Sequence, residues 1–90
     1  MNVTINDYLK SRRYNRKTFQ AATIQLQELE YDASLEFNMD ARSQTPIAVL
    51  RGPGMYEAEE TVIDILNCYF NVHEPYQEHD QIRISFSDQW

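Results

Sequence analysis

The chain has 90 residues, of which 42% are hydrophobic and 12% aromatic, and it holds two glycines and three prolines. This composition excludes global disorder, and the length predicts one small domain over residues 1–90 with a thin hydrophobic core. The net charge of −6 is uneven: residues 1–20 sum to +4 and residues 21–90 to −10. Broad DNA binding is excluded, because phosphate contacts need an extended cationic surface.

The N-terminal residues predict one or two helices. Thr4 is a candidate cap with Asp7 three residues later, which favours a short helix through about Ser11. Asn15 is a second candidate cap, and it predicts a helix from about Arg16 into the twenties. The sequence leaves the last residue of this helix undetermined, because the apolar residues there also fit a strand. The apolar positions that support this helix are Phe19, Ala22 and Leu26.

The clearest strand runs from Leu29 to Met39, where apolar and polar residues alternate. Alternation predicts that the odd positions face the core and the even ones face water. A short apolar strand, Ile47–Arg51, follows closely enough to pair as an antiparallel hairpin, and the turn residues RGPG end it. The acidic residues on the outward side of the first strand are Glu30, Asp32, Glu36 and Asp40.

A long helix is predicted from Met55 to about Asn71, because apolar residues recur there at helical spacing. Cys68 lies near this stripe and is expected to be a small buried residue. Residues 71–81 read as a polar connection, and Ile82–Phe86 alternates as a third strand. The apolar stripe of the helix consists of Met55, Ala58, Val62, Ile65, Leu66 and Tyr69. The acids in its first turns, where they complement the helix dipole, are Glu57, Glu59 and Glu60.

These elements predict an α+β fold: one or two N-terminal helices, a three-stranded antiparallel sheet, and one long helix packed on one face. The carboxylates of the first strand then lie on the wet face of the sheet. The single cysteine excludes an internal disulfide and a cysteine-based zinc site. Because no signal-peptide core or membrane-length apolar run is present, we expect a soluble, cytoplasmic protein.

Catalytic signatures are missing from the sequence. No serine lies in a nucleophile elbow, and RGPG lacks the lysine of a phosphate-binding loop. Metal-ligand residue types cluster around Pro75, but their spacing matches no ligand pattern. We therefore expect a protein that is not an enzyme and holds no metal or cofactor. The clustered residues are His73, Glu74, Glu78, His79 and Asp80.

The acidic row admits two interpretations, a solvated face and a mimic of nucleic acid. Alternate residues on a strand lie about 6.6 Å apart. Successive phosphates rise about 3.4 Å along a DNA strand, and their through-space separation is roughly 6–7 Å. Glu57, Glu59, Glu60 and Asp64 extend the negative surface if the helix lies beside the sheet. The basic segment Lys10–Lys17 either pairs with the protein's own acids or contacts an acidic patch of a partner.

In size, charge and acidic strand the chain resembles the small acidic inhibitors encoded by phages and mobile elements, including anti-restriction and anti-CRISPR proteins. The resemblance implies an inhibitor of a basic nucleic-acid-binding protein in host defence or DNA handling. Its contact residues would be Glu30, Asp32, Glu36 and Asp40, flanked by Glu57, Glu59 and Glu60. No direct binding to nucleic acid or membrane is expected. The alternative is an antitoxin or immunity protein that contacts a toxin through Tyr56, Tyr76 and Trp90.

Overall fold

The computed structural model describes residues 1–11 and 16–88. Within them, three helices pack on a mixed sheet of six strands, which confirms the α+β class. The sheet is larger than the predicted three-stranded antiparallel one. In chain order the elements are β1 (Asn2–Ile5), α1 (Asp7–Ser11), α2 (Arg16–Gln27), β2 (Ser34–Met39), β3 (Pro46–Arg51), α3 (Met55–Tyr69), β4 (Phe70–Val72), β5 (Tyr76–Glu78) and β6 (Gln81–Asp88).

The strand order is β1-β2-β3-β6-β4, with β5 also paired to β6. β1 runs parallel to β2, and the remaining pairs are antiparallel. The predicted hairpin of β2 and β3 is confirmed, with Leu35 opposite Leu50. The three predicted strands form the centre of the sheet, whereas the missed strands have only three or four residues and lie at its edges.

β4 and β5 form one interrupted edge beside β6. Val72 lies opposite Phe86, and Tyr76 lies opposite Arg83. Between these two pairs the edge advances by four residues, whereas β6 advances by three. The extra residue is a bulge, and Pro75 lies within it, where the missing N–H costs no sheet hydrogen bond. The prediction of a polar connection over residues 71–81 is therefore wrong, since much of this exposed segment pairs with β6.

The N-terminal cap differs from the prediction. Thr4 lies inside β1, and the side chain of Asn6 caps α1 by accepting the backbone amide of Tyr8 at 2.8 Å. Asn6 also donates its own amide to the oxygen of Phe37 at 3.0 Å, which ties α1 to β2. The predicted start of α2 at Arg16 is confirmed. Residues 12–15, which include Asn15 and half of the basic segment, lie outside the described residues.

β2 begins at Ser34, five residues later than predicted. Leu29 donates its amide to the oxygen of Leu26 as α2 ends, and the oxygen of Asp32 accepts from Gly54. These two hydrogen bonds therefore occupy part of the backbone of this segment in place of a strand partner. The alternation of exposure persists all the same, with Glu30 and Asp32 exposed and Leu29, Tyr31 and Ala33 half-buried.

The core lies between the helices and one face of the sheet. Its centre is a cluster of four phenylalanines with ring centroids 4.6–6.0 Å apart. α3 buries four of its six predicted core residues and half-buries Ile65 and Tyr69. Cys68 was expected to be buried but is exposed, because it follows Leu66 by two positions and so points away from the sheet. The phenylalanines are Phe19, Phe37, Phe70 and Phe86.

Candidate functional site

The predicted row of four carboxylates is divided between two surfaces. Glu36 lies on β2 and faces away from the helices, and Asp40 follows the end of that strand. Glu30 and Asp32 precede the strand. The continuous row inferred from the alternation therefore does not form, because only one of its four members lies within a strand.

Glu30 and Asp32 lie on a segment, residues 28–33, that packs beside α3. The hydroxyl groups of Tyr31 and Thr61 are 3.3 Å apart, within hydrogen-bond distance. The amide of Gly54, just before α3, donates to the oxygen of Asp32 at 2.9 Å. These two contacts hold the segment against the first half of the helix, with the side chains of Glu30 and Asp32 exposed.

The neighbouring surface of α3 is also acidic. Glu57, Glu60 and Asp64 are exposed, and their spacing of three and four residues places them on one side of the helix. Glu59, which the sequence grouped with them, is half-buried. Glu28, which directly follows α2 and begins the segment 28–33, is exposed too. We use the name acidic edge for the six exposed carboxylates Glu28, Glu30, Asp32, Glu57, Glu60 and Asp64.

No cation belongs to the two segments that form the acidic edge. Residues 18–41 and 52–82 contain no lysine or arginine. Among the described side chains, the recorded ion pairs join Arg51 to Glu36 at 3.5 Å and Arg83 to Glu78 at 3.7 Å, and neither involves the acidic edge. The N-terminal ammonium group of Met1 donates to the backbone oxygens of Gln27 and Leu29, so one positive charge lies close to Glu28 and Glu30. The six carboxylates outnumber it and produce a negative potential that attracts a cationic surface.

The sheet face opposite the helices, which we call the open face, has a different character. Val49 lies at its centre and is only 2% exposed, although it is not part of the core beneath the helices. It pairs with Glu36 on one side and Arg83 on the other, and the stems of these side chains cover it. Because Glu36 is already paired with Arg51, this face carries charges of both signs.

Asp40 organises the loop after β2. Its carboxylate accepts the backbone amide of Arg42 at 3.1 Å and the hydroxyl of Ser43 at 3.0 Å. These two hydrogen bonds, assisted by the charges of Arg83 and Arg42, lower the pKa of Asp40 below its ordinary value of 3.8. Asp40 therefore acts within its own loop, away from the acidic edge.

Two exposed tyrosines lie at β5, one on the strand itself and one on the neighbouring α3. The side-chain amide of Gln77 donates to the hydroxyl of Tyr56, which projects from the first turn of α3. Arg83 donates to the hydroxyl of Tyr76 at 3.1 Å, on the open face. Trp90, grouped with them from the sequence, lies outside the described residues. Tyr56 and Tyr76 thus lie on opposite faces of the sheet edge, since Gln77 and Tyr76 are neighbours on one strand.

Sequence reasoning missed the residues that assemble the acidic edge. Tyr31 was treated only as a core residue, and Gly54 only as part of a turn. A signal was present for Gly54, because a glycine directly before a helix permits close approach of another backbone. Nothing in the sequence indicated a role for Glu28, because an acid near the end of a helix is usually solvated.

No protein-family model matches the chain, and neither the curated proteins nor the solved structures compared with it give a match. Over the described residues, the helices lack the length and apolar character needed to span a bilayer. In the same residues, no three His, Cys, Asp or Glu side chains converge in a way that could hold a metal ion.

Proposed function

We propose that this protein is a non-enzymatic inhibitor that binds, through its acidic edge, a basic nucleic-acid-binding groove on a defence or DNA-handling protein. The observation that carries the proposal is the packing of residues 28–33 against α3. That packing gathers six exposed carboxylates from two segments of the chain, neither of which contains a lysine or arginine.

The spacing of these charges supports the proposal. Glu57, Glu60 and Asp64 are three and four residues apart on α3, and residues at this spacing have Cβ atoms about 5–6 Å apart through space. Neighbouring phosphates of one nucleic-acid strand are roughly 6–7 Å apart. A groove whose arginines and lysines are placed for phosphates therefore meets carboxylates at a comparable pitch.

The shape of the site supports binding more than chemistry. The six carboxylates lie on a convex helix and the segment beside it, and they are exposed to water. Acid–base catalysis needs groups that converge on one reacting atom, within hydrogen-bond reach. A convex surface of like charge is better suited to a complementary cationic cleft, where opposite potentials speed association and exclude wrong partners.

Capture from a lysate tests the proposal. The full chain, biotinylated at an added C-terminal tag, is immobilised and exposed to nuclease-treated bacterial lysate. Bound proteins are then eluted with duplex DNA or RNA and identified by mass spectrometry. We expect nucleic-acid-binding proteins that nucleic acid displaces and neutral dextran does not. Retained proteins that nucleic acid fails to displace would contradict a shared groove.

A second candidate function is an antitoxin or immunity protein that blocks a toxin by direct contact. The exposure of Tyr56 and Tyr76 around β5 favours it, because tyrosines often anchor protein interfaces. Salt separates the two functions. Binding through the acidic edge weakens steeply as the ionic strength rises, whereas binding through aromatic anchors changes little.

A further inference from the structure

The two edges of the sheet differ in how they are protected against pairing with another molecule. The edge formed by β4 and β5 contains the bulge at Pro75 and the exposed carboxylates of Glu74 and Glu78. A bulge, a proline and charged side chains all hinder the addition of a further strand. β1, at the other edge, has the sequence NVTI and pairs with β2 without interruption. It has no charge, proline or bulge, so this edge can accept a strand.

The backbone of β1 presents hydrogen-bonding groups outward at two residues. The amide of Asn6 donates to the oxygen of Phe37, which is the residue paired with Ile5. Bonding alternates along a parallel pair of strands, so the amide and oxygen of Thr4 also point towards β2. Those of Val3 and Ile5 therefore point away from β2. Within residues 1–11 and 16–88, these outward groups have no hydrogen-bond partner.

Contacts at both ends and on one face hold β1 in its extended form. The ammonium group of Met1 bonds to the backbone at the end of α2, and Asn6 is tied to β2. The side chains of Val3 and Ile5 are half-buried against the core, whereas that of Thr4 is exposed. A strand that is already ordered loses little conformational entropy when it gains a partner.

We propose that β1 pairs with β1 of a second copy of this chain, antiparallel about a two-fold axis at Thr4. Val3 of each copy then faces Ile5 of the other, and two outward amides from each copy make four hydrogen bonds in total. The two Thr4 side chains lie opposite each other, which is a favourable cross-strand pair. Two four-residue strands form a small contact, so the dimer is weak and reversible.

The charges at the two ends of β1 favour the antiparallel arrangement. At its start, the ammonium group of Met1 bonds to the backbone on both sides of Glu28, and Glu30 follows closely. Beyond its end, residues 10–17 carry five cations and no acid. Antiparallel pairing brings the acidic end of each copy towards the basic end of the other, whereas parallel pairing brings like ends together.

The dimer is compatible with the proposed function but does not depend on it. α3 packs over β3, β4 and β6, away from β1 in the strand order. The carboxylates that α3 contributes to the acidic edge therefore remain available to a basic groove when β1 is paired. Failure of either proposal leaves the other standing, because the dimer is measured with this chain alone.

Sedimentation equilibrium of the untagged full chain, diluted from millimolar to micromolar concentration, tests for the dimer. We expect the mass to fall reversibly on dilution, from a value approaching twice that of the chain to the 10.7 kDa of a single chain. A chain that stays monomeric throughout would overturn the proposal and would leave a strand of a different protein as the occupant of this edge.

Amide hydrogen exchange, followed by nuclear magnetic resonance at the same concentrations, identifies the strand that forms the contact. The amides of Val3 and Ile5 should exchange more slowly as the dimer forms, because they gain hydrogen bonds. Exchange at Thr4 should change less, since its amide is already bonded to β2. A dimer in which Val3 and Ile5 exchange as fast as in the dilute sample would use another surface and would overturn the proposal.

Variants supply an independent test of the same contact. Thr4→Lys places like charges opposite each other at the axis and weakens association about twofold to fivefold. Val3→Pro removes an amide that the fold of one chain does not use, and the loss of two hydrogen bonds per dimer weakens association about fivefold to a hundredfold. The matched control Asn71→Lys, at an exposed position on β4, leaves association unchanged. If Val3→Pro proves unfolded, Thr4→Lys decides the question, because its side chain is exposed. Folded variants at β1 that associate as the parent does would overturn the proposal.

Discussion

The backbone oxygen of Asp32 accepts a hydrogen bond from the amide of Gly54 at 2.9 Å, and the two chain segments are pressed together at this point. A methyl group added at Gly54 would lie 3.1 Å from the same oxygen. One added at Gly52 would lie 2.9 Å from it. The close approach therefore leaves no room for a methyl group at Gly52 and allows only a tight contact at Gly54. This approach places the acidic segment against the helix.

Gly52 is the more demanding of the two positions. Its φ is +112°, which strains any L-residue, and the added methyl group also meets backbone atoms that cannot swing aside. We expect Gly52→Ala to lower the free energy of unfolding by roughly 1–3 kcal/mol, measured by urea denaturation. Gly54→Ala is the matched control and loses less, because φ there is −93°. Equal stability of Gly52→Ala and the parent would show that the segments separate easily.

Phe37 and Glu36 are neighbours on β2 with opposite environments. Phe37 is fully buried, and its ring lies 5.6 Å from Phe19 and 5.8 Å from Phe86 in edge-to-face contacts. Phe37→Ala should cost roughly 3–5 kcal/mol of unfolding free energy, because it leaves a cavity in a small core. Glu36→Gln should cost less than about 1 kcal/mol, since it removes only an exposed ion pair with Arg51. Similar losses for both variants in chemical denaturation would contradict this assignment of faces.

The pattern of apolar residues along the chain was enough to predict the elements that bury one face in the core. α3, β3 and β6 each carry an apolar pattern long enough to specify its own structure. β5 is exposed throughout and has only three residues, so nothing in its sequence distinguishes it from a loop. β1 was mistaken for a helix start, because Thr4 is a good cap in isolation. Its pairing with β2 comes from a distant segment, and local preference does not encode it.

The candidate site was predictable in composition but not in arrangement. The sequence identified the acids on residues 30–40 and on α3 as one negative surface. It could not show that Glu36 pairs with Arg51, or that Asp40 is bonded within its own loop. Both depend on where chain segments meet in space. The contact between Tyr31 and Thr61, which are thirty residues apart in the sequence, likewise depends on the tertiary structure.

Cys68 provides a direct test of the orientation of α3. The residue is exposed, and its thiol donates to the backbone oxygen of Asp64 at 3.4 Å. We expect it to react with a thiol reagent such as DTNB in the absence of denaturant, at a rate that urea raises only modestly. Cys68→Ser should change stability by no more than about 0.5 kcal/mol, as surface substitutions usually do. Labelling that requires unfolding would place Cys68 inside the core.

Asp40 makes stability depend on pH at the acid end. Because its pKa in the folded protein lies below the unfolded value of 3.8, its carboxylate stabilises the fold above that pH. The contribution is lost as the pH falls through the folded-state pKa. Asp40→Asn should therefore be less stable than the parent at neutral pH, and the difference should shrink towards about pH 2 in a series of urea titrations. Asp80→Asn, in the exposed turn after β5, controls for loss of a surface carboxylate. A difference independent of pH would contradict this role.

Neutralising part of the acidic edge tests the proposed function. The variant carries Glu30→Gln, Asp32→Asn, Glu57→Gln and Glu60→Gln, which keep the side-chain shapes and remove four charges. The matched control also removes four carboxylates, but from the β5 and β6 edge of the sheet. Its substitutions are Glu74→Gln, Glu78→Gln, Asp80→Asn and Asp88→Asn. Denaturation of both variants establishes that each is folded before binding is measured.

With the captured partner, the acidic-edge variant should bind roughly fourfold to a thousandfold more weakly than the parent. This range follows from four exposed ion pairs worth about 0.2–1 kcal/mol each. The loss should appear mainly in the association rate and should diminish at high salt, because screening removes the same attraction in the parent. The control should bind almost as the parent does. A folded acidic-edge variant with full affinity, or an equal loss in the control, would reject the edge as the contact surface. Binding through the tyrosines around β5 would then be the better explanation. The variant Tyr56→Ala would test it, because this substitution removes an aromatic side chain and leaves the net charge unchanged.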